Sequence, residues 1–341
     1  MCMIAGYIGS TEATPHLIEM IRLQEFIFGG FYTGIGTFKD GVLHRRRSVG
    51  AISSFVREHA VSALPGSIGI AHSRTNDGGG IEWAQPRFDA SEELACVGVG
   101  IGGIFSSASQ TDRILALADS LLKEGVAFRT RVAGSKKNGL KLSNGDVVHG
   151  GDVFLHGVAR LYRQGHSIIN SIRTIKLPSE SVSLFLSSKE PDKLFVANHN
   201  SRLLVVKTDS GTRLVSSLLA ITERPDWIVE IPSNTFAVVT GDSVNLEVLW
   251  ENEDRFDLTT SSTLPSKVLE YIKQNPGATW WDMVTHAIAP TLPQDKANMS
   301  FALGLSILEN LVRERALRYE IKDVAGVEGQ FPVPQMILFS N

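Results

Sequence analysis

The chain has 341 residues, 43% hydrophobic and 20% charged, with a formal net charge of −3, a composition that suits a soluble globular protein of about two domains. The near-neutral charge gives no electrostatic footprint for a nucleic acid or a membrane surface. Cys2 and Cys96 are the only cysteines, which excludes a disulfide framework or a zinc finger and fits a reducing cytoplasm.

The opening segment, 1–9, reads as an apolar strand with a cysteine in second place. It is too short to span a bilayer and lacks the basic flank of a signal peptide. Methionine before a small residue is the usual setting for initiator removal, which would leave Cys2 with a free α-amine beside its thiol. Reference pKa values of about 8.5 for the thiol and about 7.7–8.0 for the amine put a nucleophile and a base on one residue. Read alone, Cys2 is more simply a small buried core residue.

Thr14-Pro15 reads as the N-cap and first position of a helix carrying Leu17, Ile18, Ile21 and Phe26, ended by Gly29-Gly30. Segments 31–38 and 42–49 flank Lys39-Asp40-Gly41, a hairpin with an Asp-Gly turn. Strands are expected at 67–72 and 94–101, and an amphipathic helix from Thr111 to a stop at Gly125. Segment 129–144 reads as a long hairpin or surface loop, and a second helix is expected over 152–164. From Ser181 to Thr240 the pattern is β-rich. Strands, two helices and then strands imply a layered α+β domain rather than alternating β-α-β units. Residues 1–256 are therefore read as one domain, 257–262 as a linker and 263–341 as a second domain. Three helices and a terminal hairpin give that second domain a winged-helix-like pattern. Its basic residues, such as Lys267, Arg313 and Arg318, are matched by acidic ones, such as Glu270, Glu309 and Glu320. A nucleic-acid partner is therefore not expected on charge, and protein–protein contact is the better reading.

Gly98-x-Gly100-x-x-Gly103 satisfies a dinucleotide-binding pattern. A serine-rich stretch, 105–109, separates it from the next helix, and no strand ending in an acid follows at the required distance, so a nucleotide loop is not expected. Segment 69–80 is a strand running into a glycine-rich loop. It places Arg74 at a strand end, where a guanidinium can grip a carboxylate bidentately. Arg45-Arg46-Arg47 reads as a solvated or edge-strand face. His149 and His156 lack a third ligand at suitable spacing, so no metal is expected.

Taken together, Cys2 with Ile4, Gly6, Tyr7, Ile8 and Gly9, the run from Gly69 to Arg74, the Ile101-Gly102-Gly103-Ile104 turn and the 182–219 strands resemble the class II, N-terminal-nucleophile glutamine amidotransferases. The glutaminase domain of glucosamine-6-phosphate synthase is the nearest kind. The resemblance covers about residues 1–245. It implies a four-layer αββα sandwich of Ntn-hydrolase type. It also implies Cys2 as nucleophile, the backbone N–H of Gly103 as oxyanion donor, and Arg74 as the residue that binds the glutamine carboxylate. Thr75, Asp77 and Gly102 would line the substrate site.

The departures are specific. Met3 replaces a glycine, and the asparagine of the oxyanion hole falls on Gly102, a loss that typically costs about 10²–10³ in rate. The aspartate that binds substrate ammonium falls on Gly150, with Asp152 two residues on as the substitute. The resemblance thus implies a glutaminase or related amide hydrolase, with glutamine or a similar amide as substrate, a separate synthetase as partner and no cofactor. A degenerate, non-catalytic ligand-sensing or scaffold subunit is the alternative. Homo-oligomerisation is left open.

Overall fold

A computed structural model describes residues 2–59, 64–76, 78–100, 108–134, 139–176, 180–251, 263–294, 299–327 and 331–341. In chain order these form β1 (Met3–Ile8), α1 (Ala13–Arg22), α2 (Glu25–Phe28), the hairpin β2 (Tyr32–Lys39) and β3 (Val42–Val49), α3 (Ile52–Glu58) and β4 (Ile68–Arg74). Then come β5 (Arg87–Phe88), β6 (Leu94–Val99), α4 (Ala108–Lys123), the short ribbon β7 (Leu140–Lys141) and β8 (Val147–Val148), α5 (Gly150–Arg163) and α6 (Ile168–Ile175). A run of strands follows: β9 (Ser181–Ser187), β10 (Leu194–His199), β11 (Leu204–Thr208), β12 (Gly211–Val215), β13 (Trp227–Glu230), β14 (Thr235–Val239) and β15 (Val244–Val248).

Two sheets result, ordered β13-β11-β12-β1-β4-β2-β3 and β15-β14-β10-β9-β6-β5. Every neighbouring pair in both is antiparallel. Side-chain alternation assigns the faces. Cys2, Ile4, Ile70, Val97, Leu184 and Leu214 meet in one core between the sheets. Leu17 and Ile21 of α1 and Phe55 of α3 pack with Ala5, Tyr7 and Ala71 on the outer face of the first sheet. Leu155 and Val158 of α5 and Ile172 of α6 pack with Cys96, Phe185 and Ala197 on the outer face of the second. The result is helix, sheet, sheet, helix.

Local expectations fare unevenly. Asp40 and Gly41 both take positive φ, 49° and 85°, and close the β2–β3 hairpin as the Asp-Gly signal requires. Thr14, expected as an N-cap, lies inside α1, where Glu12 precedes the first turn. Its hydroxyl instead donates to the Leu64 carbonyl at 2.8 Å. The helix expected from Asp152 begins at Gly150, because His149 caps it by accepting the Gly151 N–H on Nδ1. Helices α3 and α6 and strand β15 have no counterpart in the sequence reading. Gly98 and Val99 lie on β6, whose two partners are antiparallel, so the glycine pattern does not sit in a parallel β-α-β unit. The polyarginine run lies on β3 at a sheet edge, as expected. However, Arg45 packs over the Phe88 ring at 4.7 Å and Arg47 donates to the Ala84 carbonyl, so neither is simply solvated.

The remaining chain forms α7 (Leu264–Gln274), β16 (Ala278–Thr279), α8 (Trp280–Asp282) with a π turn running on to Ile288, α9 (Ser300–Arg313), β17 (Leu317–Val324) and β18 (Val333–Ser340). Its three strands pair in the order β16-β18-β17. The expected linker, 257–262, lies outside the described residues. Val268, Trp280, Leu308 and Leu338 share one core with Met3, Phe26 and Ile27 of the sandwich. Arg202, on the turn before β11, donates to Glu309 of α9 at 2.7 Å, with both side chains buried. Among the described residues no helix is long and apolar enough to cross a membrane.

Candidate active site

β1 lies in the middle of its sheet, between β12 and β4, and its register on β4 pairs Met3 with Ser73. That register delivers Cys2, at the entry of β1, to the exit of β4, where Arg74 and Thr75 sit. The Cys2 Sγ lies 3.9 Å from the Thr75 Oγ1. Alternation along β4 turns His72 and Arg74 to the same inner face as Ile68 and Ile70.

Arg74 is only 1% exposed. Its guanidinium carbon sits 4.5 Å from the Tyr32 ring centroid and 5.9 Å from that of Trp83, and Nη1 donates to the Gly80 carbonyl at 3.1 Å. Stacking on rings and a fixed donor hold the planar group in one orientation. The glycine-rich loop makes this possible. Gly79 has φ +63°, and a β-carbon there would fall 2.2 Å from the Trp83 ring. The Tyr32 hydroxyl then donates to the Gly79 carbonyl.

A chain of contacts runs from Trp83 to Asp152. The indole N–H donates to the Thr130 carbonyl at 2.9 Å, and the His149 ring meets Trp83 edge to face. The Thr130 N–H and hydroxyl both donate to Asp152 Oδ2, at 3.0 and 2.9 Å. Asp152 Oδ1 lies 3.3 Å from Nδ1 of His156, one turn further along α5. Asp152 is buried, which would raise its pKa, but the His156 hydrogen bond and charge, Arg87 and the Thr130 N–H prevail and hold it low. Burial works against charge on His156 as well, yet the Asp152 carboxylate raises its pKa. Burial first, then the charges of Arg87 and Arg74, push His72 and His149 well below the usual histidine value, so both are neutral near pH 7. The cluster is therefore two buried guanidiniums, two neutral imidazoles and a carboxylate paired with His156.

The structure thus brings Cys2, Arg74 and Thr75 together and joins Arg74 to Asp152 through Trp83 and Thr130. Gly102, Gly103 and Asp77 lie outside the described residues. Tyr32, Trp83, Arg87 and His72 belong to the same cluster and have no place in the sequence analysis. The spacing of Trp83 and Arg87 just beyond the glycine-rich loop is the one signal that could have marked them. Elsewhere, His16, Glu19 and Glu223 converge closely enough to suggest a cation site. They surround the buried Arg213 guanidinium, which contacts all three and supplies the positive charge itself.

No family model matches the chain. It is 25% identical over 268 residues to the glutamine–fructose-6-phosphate aminotransferase (isomerizing) of Chlorobaculum tepidum, covering 76% of this chain and 39% of that one. The corresponding enzymes of Mesorhizobium japonicum and Brucella abortus are 26% and 27% identical, over 72% of this chain and 36% of theirs. The chain therefore spans under two-fifths of the length of these curated relatives. Among solved structures, the glutamine phosphoribosylpyrophosphate amidotransferase of Bacillus subtilis, complexed with ADP and GMP, superposes with a TM-score of 0.58 at 16% identity, covering 94% of this chain and 66% of that one. A structure described as the allosteric regulatory enzyme of purine biosynthesis gives 0.57 at 18% identity, covering 81% and 58%.

Proposed function

We propose, from the class II glutamine amidotransferase domain that this chain carries, that Cys2 becomes the terminal residue and hydrolyses a side-chain amide, with glutamine the favoured substrate, to release ammonia. The observation that carries the reading is the Cys2–Arg74–Thr75 corner, a small thiol at a strand entry beside a buried, stacked guanidinium. In the first step the thiol proton passes to the α-amine of Cys2 as Sγ attacks the amide carbon. The proton then reaches the leaving nitrogen, ammonia departs, and water hydrolyses the thioester. Arg74 holds the substrate carboxylate, since its fixed fork suits bidentate recognition. Thr75 and Asp77 line the approach beside it.

The oxyanion role rests with the Gly103 N–H, beside Gly102, on the sequence resemblance alone. The substrate ammonium is assigned to Asp152 on the sequence resemblance, as the substitute for the acid lost at Gly150. The helical segment with its β-hairpin is read as a winged-helix-like protein-contact module, and the ammonia acceptor as a separate synthetase subunit. Intact mass combined with a glutamine-mimicking electrophile tests the core of this reading. Loss of Met1, one adduct on Cys2, and glutamine-dependent ammonia release abolished by Cys2→Ala are expected. A retained Met1 with an unlabelled Cys2 would sink it.

A further inference from the structure

We propose that Glu180 is the positioning residue for the α-amine of Cys2, its carboxylate holding the ammonium that forms when the thiol gives up its proton. This rests on the reading of Cys2 as a terminal nucleophile. The position follows from register. A β-carbon at Gly6 on β1 would fall 2.8 Å from Leu184 Cδ2 on β9, so those two residues face each other across the sandwich. The two strands run in the same sense. Ile4 pairs with His72, His72 meets the Gln85 amide that also bonds Gly98, and Gly98 pairs with Ser183. Moving four residues back along each strand, at about 3.3 Å per residue, places Cys2 over Glu180. Alternation agrees, since Val182, Leu184 and Leu186 all face the inner core and Glu180 continues that series.

Three further observations fit an ammonium partner. Oε1 of Glu180 is buried and has no hydrogen-bond partner among the described residues, an expensive state for a carboxylate unless a cation meets it. Burial pushes its pKa up to about 8, so it stands as a carboxylate at neutral pH only when a cation sits beside it. The Glu180 backbone is also fixed. Its carbonyl oxygen lies where a β-carbon at Gly100 would be only 1.8 Å away, and Gly100 takes φ +76° to allow it. The other charged or titratable side chains described around this end are His72 and Arg74 of β4, Arg87 of β5, His149 before α5, Asp152 of α5, which pairs with His156 and Thr130, and Glu25, which is taken by Ile52 and Ser73. Among the described residues Glu180 is therefore the acid left for the amine at this end.

The chemistry balances without a cofactor. The S–H bond breaks, an N–H bond forms on the α-amine, and the thiolate pair attacks the amide carbon. When the tetrahedral species collapses, the same proton leaves with the departing nitrogen as ammonia. Glu180 neither gains nor loses a proton; it orients the amine and stabilises its charged form, as the carboxylate of a catalytic triad does for its base.

The test uses the full chain with Met1 removed, confirmed by intact mass. The chain has two cysteines, so uniform [13C]cysteine labelling gives two spin systems, and the pH titration of the Cys2 Cα reads the amine directly. The wild-type amine should titrate above the usual range of about 7.7–8.0. Glu180→Gln should lower it by about one unit, a tenfold change in proton affinity. Glu180→Asp should recover part of the shift, and Glu180→Gln should reduce kcat about tenfold or more with KM little changed. A Cys2 titration identical in wild type and Glu180→Gln overturns the proposal. Should that variant not fold, a wild-type amine at or below about 8 overturns it equally. The titration needs no turnover, so the two readings fail separately. A shifted amine without ammonia release supports the pair and defeats the amidase, whereas an active enzyme with an unshifted amine defeats the pair.

Discussion

Glu25 bonds Ser73, the cross-strand partner of Met3, and replacing it with glutamine should remove a defined pH dependence of stability. Its carboxylate accepts the Ile52 N–H at 3.0 and 3.2 Å and the Ser73 hydroxyl at 3.1 Å. Ser73 is the residue paired with Met3, immediately after Cys2. Burial raises the Glu25 pKa from 4.5 to about 7, only partly opposed by the Ile52 and Ser73 hydrogen bonds and the charge of Arg22. The folded state therefore binds this proton more tightly than the unfolded chain. Between the two values the native protein holds more protons, so stability falls as pH rises through that window and is level above it. At 1.36 kcal/mol per unit the loss is on the order of 3 kcal/mol. Glu25→Gln keeps the shape and one acceptor oxygen but cannot ionise. Urea unfolding followed by tryptophan fluorescence, from about pH 4.5 to about pH 8, measures both proteins, and contributions from other groups cancel in the difference. The difference in unfolding free energy should change by roughly 3 kcal/mol across the range, in favour of the glutamine variant at high pH. A difference that stays flat to within about 0.5 kcal/mol would refute the reasoning.

Two further outcomes probe the docking of the helical segment and the substrate grip. Glu309→Ala strands the buried Arg202, which among the described residues keeps only Glu230 at 3.4 Å as an acidic partner. It should cost about 3–5 kcal/mol by chemical denaturation, whereas the apolar double replacement Arg202→Met with Glu309→Leu should recover most of that loss. Equal losses in the single and double variants would contradict the pairing. Arg74→Lys should raise KM for glutamine about tenfold to a hundredfold with a smaller change in kcat, because a lysine can neither fork onto a carboxylate nor stack between Tyr32 and Trp83. An unchanged KM would remove Arg74 from the substrate site.

The sequence reading reached the site where chemistry is tied to short local pattern. A cysteine opening an apolar strand and an arginine closing another are visible in the residues themselves, and β1 and β4 bring their ends together. Asp152 was placed correctly near the start of a helix, but its partners were not legible. Thr130 and Trp83 are far from it in sequence, and their convergence depends on how one loop folds over another. Helices α3 and α6 escaped because they are short, so that neither gives a period long enough to stand out. Thr14 departs from its expected capping role for a related reason: a hydroxyl at a helix start can cap its own backbone or reach a distant carbonyl, and only packing decides.

By itself the sequence determined the alternating strands, the hairpin at Asp40-Gly41, the cysteine at the entry of a strand and the arginine at a strand end. Each of these is a property of residues within a few positions of one another. Tertiary structure alone decided that Cys2 faces the core between two sheets and that Met3 on the opposite face joins the core of the helical segment. Alternation fixes which side chains share a face but not what that face meets. The meeting depends on strand order and on the stacking of one sheet upon another, where a single glycine, Gly6 against Leu184, sets how the two strands lie.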